Sequence, residues 1–412
     1  MKKLFLTAAI AAFALCSHAQ EKAITIQPYG FIRNYACFDT RESYTSNSEQ
    51  FYYMPKDENP DINGDDLNQK PNMMLLSITT RLGLNITGPE FLGASTSAKI
   101  EADFAGFGTS NTVLRIRQAY AKMAWEKQDV LVGQAWHPMM GDMMPDVFTL
   151  ETGAPFTPFS RSPQVRYNYY RGKYTLTGTI LYQYQYTSSG PAGSKFDYAR
   201  DAVIPEIYLQ AMYKGSKWQA GVGVDLLTLK PRTEASTANG KLKVDEEIVS
   251  ISPTAFASYK NGNWGIKGRV TYAENAAHLS MISGYGVTKI KADGEQEYSP
   301  LRSVAGWFDI TYKQKMKKGY ITYCLFAGYT KNLGCEDELL DTDNLLYMRG
   351  EKDAAYIWRV APSILYTHNA MQIGVEYNPT TVGYGTADSR YKVDGTHAVT
   401  NHRICAMLKY NF

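Results

Sequence analysis

The side chains of this 412-residue chain that are spaced for chemistry are charges, and they recur at alternate positions rather than in a catalytic cluster. Arg33, Arg81, Lys99, Arg117 and Arg403 fall near the middle of segments that alternate apolar and polar residues, with Arg115 two positions ahead of Arg117. Glu101 and Asp103 share the face of Lys99 and cancel part of its field. Arginine keeps its charge, and its planar fork matches carboxylates and phosphates. A second group, Asp142, Asp146, Glu151 and Arg161, lies in one long segment, 137–163, among Met139, Met140, Met143, Met144 and several Pro and Gly residues. An acidic segment facing a basic wall sets a transverse field across a narrow passage, which orients dipolar solutes more than it selects one charge.

Hydrolytic chemistry has no such support. His137, His278, His368, His397 and His402 stand outside any Ser-containing motif that would pair a nucleophile with a base, so no enzyme is expected. Asp61-Ile62-Asn63-Gly64-Asp65-Asp66 has the spacing of oxygen ligands round a turn. Asp341-Thr342-Asp343-Asn344 follows Glu336, Asp337 and Glu338. Either run suits Ca²⁺ or a divalent bridge to lipopolysaccharide, but neither completes a calcium loop, and no metal or cofactor is assigned. The five cysteines show no metal spacing. Cys37 and Cys405 fall on what read as the first and last strands, at heights judged unequal, so free thiols are expected there and at Cys324 and Cys335.

Strands must position these charges, because the recurring period is two. Leu76, Ile78, Thr80, Leu82, Leu84 and Ile86 are read on one face, with Thr79, Arg81, Gly83 and Asn85 on the other. Trp218 to Leu226, Trp264 to Tyr272 and Met371 to Tyr377 repeat the pattern, their polar faces carrying Gly221, Gly223, Gly374, Lys267 and Arg269. That polar face suits a wide, water-filled lumen, and the whole count comes to about sixteen strands of membrane-spanning length. Short connections such as Arg171-Gly172, Lys214-Gly215-Ser216 and Asn261-Gly262-Asn263 alternate with long ones at 40–72, 137–163, 187–201, 231–246, 280–300, 332–352 and 385–395. The reading is an all-β transmembrane antiparallel barrel over 20–412, with the segment after the fifth strand folded into its lumen.

The ends of the chain agree. Lys2, Lys3, an apolar run from Leu4 to Leu15 and Ser17-His18-Ala19 read as a signal peptide over 1–19. Ile404, Ala406, Leu408, Tyr410 and Phe412 alternate up to a terminal aromatic, the kind of last strand that outer-membrane assembly machinery reads. Tyr is present 31 times and aromatics make up 13 %, which suits the two membrane–water interfaces. Tyr182 and Tyr184 are placed towards lipid. A net charge of +3 encourages no nucleic-acid partner.

Residues 77–170 resemble the DcaP-like outer-membrane porins. The resemblance sits in Thr80-Arg81-Leu82-Gly83-Leu84, Ala98-Lys99-Ile100-Glu101-Ala102-Asp103-Phe104 and Leu114-Arg115-Ile116-Arg117-Gln118-Ala119-Tyr120. It continues in Leu131-Val132-Gly133-Gln134-Ala135-Trp136 and Pro163-Gln164-Val165-Arg166-Tyr167, in the same order. It implies sixteen strands, a homotrimer and a third loop inside the lumen. The long first loop and His137 depart from the family. The expected role is passive diffusion of small hydrophilic solutes across the bacterial outer membrane, favouring small anions such as carboxylates. A substrate-specific uptake channel, or a barrel with a surface-binding role, is the alternative.

Overall fold

An alternating strand has one face that water rejects and one that hydrocarbon rejects. Curling the sheet until its edges meet satisfies both, and leaves no backbone amide unpaired in lipid. The computed structural model describes residues 24–46, 51–106, 113–148, 152–237 and 240–412, and it has this form. The 1–19 leader and Glu151 lie outside the described residues.

Sixteen antiparallel strands form the closed barrel. They begin with β1 (Thr25–Asp39), β2 in two pieces (Asn72–Leu76 and Arg81–Thr87), β3 (Ser95–Asp103), β4 (Arg115–Ala124) and β5 (Gln128–Trp136). β6 (Arg161–Arg171), β7 (Tyr174–Leu181), β8 (Glu206–Lys214), β9 (Trp218–Leu229) and β10 (Ile248–Asn261) continue the wall. β11 (Trp264–Glu274), β12 (Gln296–Lys315), β13 (Tyr320–Gly334), β14 (Ala354–His368), β15 (Met371–Ala387) and β16 (Val393–Asn411) complete it. Sequence neighbours pair, and β1 pairs β16 from Phe31↔Asn411 to Asp39↔Arg403. The last residue closes the seam: Phe412 and Gly30 exchange backbone hydrogen bonds.

The faces follow the sequence alternation over most of the wall. Val222, Ile266, Val270, Ile373 and Leu408 are exposed on the outside, whereas Asp225, Arg269, Glu376 and Arg403 are buried inside. Short turns such as 172–173 and 262–263, with Gly172 at φ 58° and Gly262 at φ 57°, mark one rim. Just above that rim, cross-strand pairs Trp218–Tyr259 (4.5 Å), Trp264–Tyr312 (4.7 Å) and Tyr174–Tyr213 (5.5 Å) form an aromatic girdle. Tyr182 and Tyr184 are exposed, as the alternation requires. Long connections fill the other rim.

Two readings are corrected. The run Leu76 to Ile86 is not one continuous face, because β2 breaks at 77–80. β1 pairs Phe31 with Arg81 but Tyr35 with Leu76, so the break inserts one extra residue and reverses the side-chain parity. Met73 and Leu75 are therefore exposed outside with Leu82, while Leu76 lies opposite inward-facing Tyr35. Second, Cys37 and Cys405 are at equal height. They are direct partners across the β1–β16 seam and form a disulfide between residues 368 apart in sequence. The staggered pairing of the closing strands brought them level, a shift that counting from the turns missed. Cys324 and Cys335 are buried free thiols, as expected.

A cross-link over so long a loop restricts the unfolded chain, by about 6 kcal/mol in the chain-entropy account. Reduction, or Cys37→Ser, is expected to lower the temperature at which the barrel loses its compact, fast-migrating form on unheated gels. An unchanged transition on reduction would show that the seam's hydrogen bonds hold without it.

Candidate functional site

The lumen is where the inward charges meet, and three loops occupy its outer half. The third loop leaves β5 at His137, turns through a short helix (Pro138–Gly141) and returns to β6 after Ser160. Its described residues follow the inner wall past β8, β11, β12, β15 and β1. Asp142 accepts from Gln210 Nε2 at 2.5 Å on β8. Asp146 pairs with Lys267 Nζ at 2.9 Å on β11, and its amide donates to Asp309 Oδ2 at 2.8 Å on β12. The Phe148 amide donates to Glu376 Oε2 at 2.8 Å on β15, and Tyr35 on β1 donates to the Phe148 carbonyl. Amides of an irregular segment need acceptors when buried, and inward carboxylates supply them.

Two inward glycines serve this loop instead of widening the pore, while Gly221 and Gly223 are covered by Phe256 and Tyr208 of the wall. A Cβ on Gly374 would lie 2.6 Å from the Phe148 ring, and one on Gly328 would lie 2.4 Å from the Phe156 ring. Phe156, Phe159, Met140 and Met143 pack with Trp307, Phe326 and Ile357 of the wall, so the lumen holds an apolar core in its outer half. The expectation of a wide, water-filled lumen is corrected accordingly.

The first loop, which sequence reasoning left outside, contributes to the same core. A hairpin of Ser43–Ser46 and Phe51–Pro55 inserts Phe51, Tyr52, Tyr53 and Met54, all buried. Phe51 meets Phe159 edge-on at 5.3 Å, and Tyr384 donates to the Pro55 carbonyl at 2.6 Å. At its base Glu42 accepts from Lys70 and Lys56 at 2.9 Å each, and these two bonds hold its carboxyl down at about 2. The sixth loop adds Ala277, Leu279 and Ser280, whose hydroxyl donates to the Phe159 carbonyl at 3.1 Å. The four-residue apolar run Phe51-Tyr52-Tyr53-Met54 was the available signal for the first loop.

The predicted charges divide into three groups. Arg81, Glu101, Asp103, Arg115 and Arg117 form one network on β2, β3 and β4. Arg117 bridges Glu101 at 2.9 Å and Asp103 at 2.7 Å, Arg115 grips Asp103 at 2.8 Å, and Arg81 stands 3.7 Å from Glu101. Arg161 is fully buried beside it, stacked on Trp136 (4.7 Å) and Tyr186 (5.3 Å), with one bond to the Tyr186 hydroxyl at 2.9 Å. Its Nε and Nη1 are buried with no acceptor. Arg403 is drawn away from the others: it pairs with Asp39 at 3.2 Å and stacks on Tyr52 of the first loop at 4.5 Å. Lys99 lies over Tyr29 at 4.9 Å, and Arg33 points inward, over Tyr35 at 4.8 Å.

Beneath the third loop the lumen stays open. A chamber of about 580 Å³ runs towards the short-turn rim, bounded above by Asp146, Val147 and Phe148. Its cations are Arg33, Lys260, Lys267, Lys313 and Lys409, and its carboxylates are Asp146 and Asp309. Lys260, Lys313 and Lys409 sit near the strand ends, away from the mid-height positions whose alternation marks a lumen charge in the sequence. The acidic runs at 61–66 and 341–344 are spent on their own turns: Asp61 Oδ1 accepts from the amides of Asn63 and Asp65, and Asp341 Oδ1 from those of Asp343 and Asn344. Those amide bonds hold the Asp61 carboxyl below its usual range.

No protein-family model and no curated protein matches the chain. Among solved structures it is similar to the outer-membrane channel DcaP of Acinetobacter baumannii, with TM-score 0.66 and 18 % identity over 97 % of this chain and 100 % of that one. The fold is that of an outer-membrane porin. An anion-selective porin from Comamonas acidovorans has TM-score 0.55 at 10 % identity, covering 95 % of this chain and all of that one. OmpT of Vibrio cholerae, in a trimer form, has TM-score 0.54 at 12 % identity over 95 % of this chain and 100 % of its own. The porin fold and the apolar outer wall make the chain an integral barrel of the bacterial outer membrane, and the resemblance noted in residues 77–170 extends, as fold, over the whole barrel.

Each carboxylate that receives a loop amide contributes about 1.5–3 kcal/mol as a charge-assisted bond. Replacing both, Asp309→Ala with Glu376→Ala, is expected to release the 142–148 stretch from the wall. Limited proteolysis of the folded barrel should then cut within the third loop several-fold faster than in the parent protein; equal rates would mean that the apolar core alone holds it.

Proposed function

We propose that the protein is a passive diffusion channel for small hydrophilic solutes that favours small anions such as carboxylates. The observation that carries this reading is the chamber beneath the third loop, where five cationic side chains face two carboxylates. A solute leaving the outer half of the lumen passes from the buried Arg115, Arg117 and Arg161 cluster to the lysines of the short-turn rim. We take Arg33, Arg81, Lys99, Glu101, Arg115, Arg117, Asp142, Asp146 and Arg161 as the residues that set the field at the narrowest point. Arg403, held by Asp39 and the first loop, acts by fixing that loop. The likeness in fold to a porin described as anion-selective is in keeping with this reading.

A substrate-specific uptake channel is the second reading, favoured by one observation. The first and third loops fill the outer half of the lumen with aromatic side chains stacked on wall arginines, a lining that suits a planar or acidic solute better than bulk electrolyte.

We further propose a homotrimer, joined through β1 to β5. The outer faces of β6 to β16 carry Tyr167, Trp218, Trp264, Phe308, Trp358 and Tyr410 exposed, whereas among the described residues of strands β1–β5 Phe38 is the one exposed aromatic. Ile32, Leu75, Leu82, Ile100, Ile116 and Val132 cover that side instead. A face that lacks interface-anchoring aromatics is suited to protein rather than to the lipid–water boundary. Lipid and lipopolysaccharide surround the remainder, and the exposed Phe412 ring is available to assembly machinery.

Planar-bilayer recording of the refolded protein under a salt gradient tests these points. Conductance steps in groups of three and a reversal potential on the anion side are expected. Replacing Lys260, Lys313 and Lys409 by Glu should lower the anion-to-cation permeability ratio several-fold. Cation selectivity in the parent protein would overturn the anion preference. Negligible ion current, with one acidic solute crossing liposomes containing the barrel, would favour the specific channel.

A further inference from the structure

Where the third loop leaves the wall, four buried side chains from four segments converge. His137 caps the loop's first helix, Glu206 opens β8, Asp225 lies on β9, and His278 sits in a single helical turn of the sixth loop. None is more than 3 % exposed. His137 Nε2 is 2.7 Å from Glu206 Oε1 and 3.7 Å from Asp225 Oδ1, and His278 Nε2 approaches the same Glu206 oxygen at 3.2 Å. One donor atom from each of His137, Glu206 and Asp225 falls within 4.8 Å of the other two.

We propose that His137, Glu206 and Asp225 bind a transition-metal dication of the zinc class, with His278 as a fourth donor. Two further observations point to a ligand. Glu206 Oε2 and Asp225 Oδ1 are buried with no donor facing them, so the pair needs a shared proton or a cation to complete it. The two carboxylates also lie together in a buried site within reach of one another, and a single dication answers both at once. The donor set decides the class of metal. Mixed imidazole and carboxylate ligation suits Zn²⁺ and its neighbours, whereas Ca²⁺ and Mg²⁺ take oxygen donors.

His137 Nδ1 accepts the Met139 amide at 3.2 Å, so the neutral ring carries its proton on Nε2, towards Glu206. With metal on Nε2, that proton moves to Nδ1 and the amide contact is given up. The ion then ties the root of the third loop to the sixth loop and to two wall strands. It is a structural clasp, and it stands whether or not the channel prefers anions.

The test is calorimetric titration of chelator-treated, refolded barrel with ZnCl2, with CaCl2 and MgCl2 as controls, and with Co²⁺ as a spectroscopic probe. The expected result is one tight zinc per chain, four-coordinate visible bands with Co²⁺, and no binding of Ca²⁺ or Mg²⁺. Asp225→Asn and His137→Ala should each weaken zinc by about 100-fold or more. Asp225→Asn keeps the side-chain size and decides the matter if His137→Ala fails to fold. Absence of zinc binding to barrel shown to be folded by its gel migration overturns the proposal. So does binding that survives both substitutions, since the exposed His397 and His402 would then be its source.

Discussion

Every backbone amide that crosses hydrocarbon has to find its acceptor within the protein, and the closed ladder is the consequence. Because β1 and β16 pair from Phe31↔Asn411 to Asp39↔Arg403, the wall has no edge, and its diameter is set before any side chain acts. What remains free is the inner face. Its residues alternate with the lipid-facing ones and answer to no lipid, so loops and solutes can share them.

The same accounting governs the third loop. An irregular segment inside a barrel carries unpaired amides into a buried space, and here Asp309 and Glu376 receive those of Asp146 and Phe148. Acidic side chains on the inner wall therefore act as acceptors for the loop and do not all contribute charge to a solute's path. The arginines divide similarly. Arg359 donates to the carbonyls of Tyr53 and Ala154 and so holds two loops, while Arg161 keeps N–H groups without acceptors. Being buried and positive is common to both residues; the difference is whether a carbonyl stands in front of them.

The barrel was legible in the sequence because lipid enforces a period of two, and Val222, Ile266 and Ile373 could not sit elsewhere. The third loop was legible as well, since a long run of Met and Phe after the fifth strand has no use for water. Other features were not. The extra residue at 77–80 reverses parity without changing composition, so the letters on either side look like one face. The level of Cys37 against Cys405 depends on the stagger of the closing strands, which no local pattern records. The histidine–carboxylate cluster draws on residues 137, 206, 225 and 278, and the folded wall alone makes them neighbours. Gly374 misled for a related reason: a glycine on an inner face reads as open space until the ring that fills it is known.

The seam disulfide has a consequence for order in time. Joining Cys37 to Cys405 turns nearly the whole polypeptide into a covalent ring, with the short stretch before Cys37 and the last residues from Ala406 to Phe412 as tails. A ring of this kind cannot be made while the last strand is still being delivered. Oxidation therefore records that both ends of the chain have arrived. A chain oxidised before it reaches the membrane would already carry its first and last strands side by side, with the final closure of the wall decided by sulfur chemistry in the aqueous compartment rather than by pairing in the bilayer.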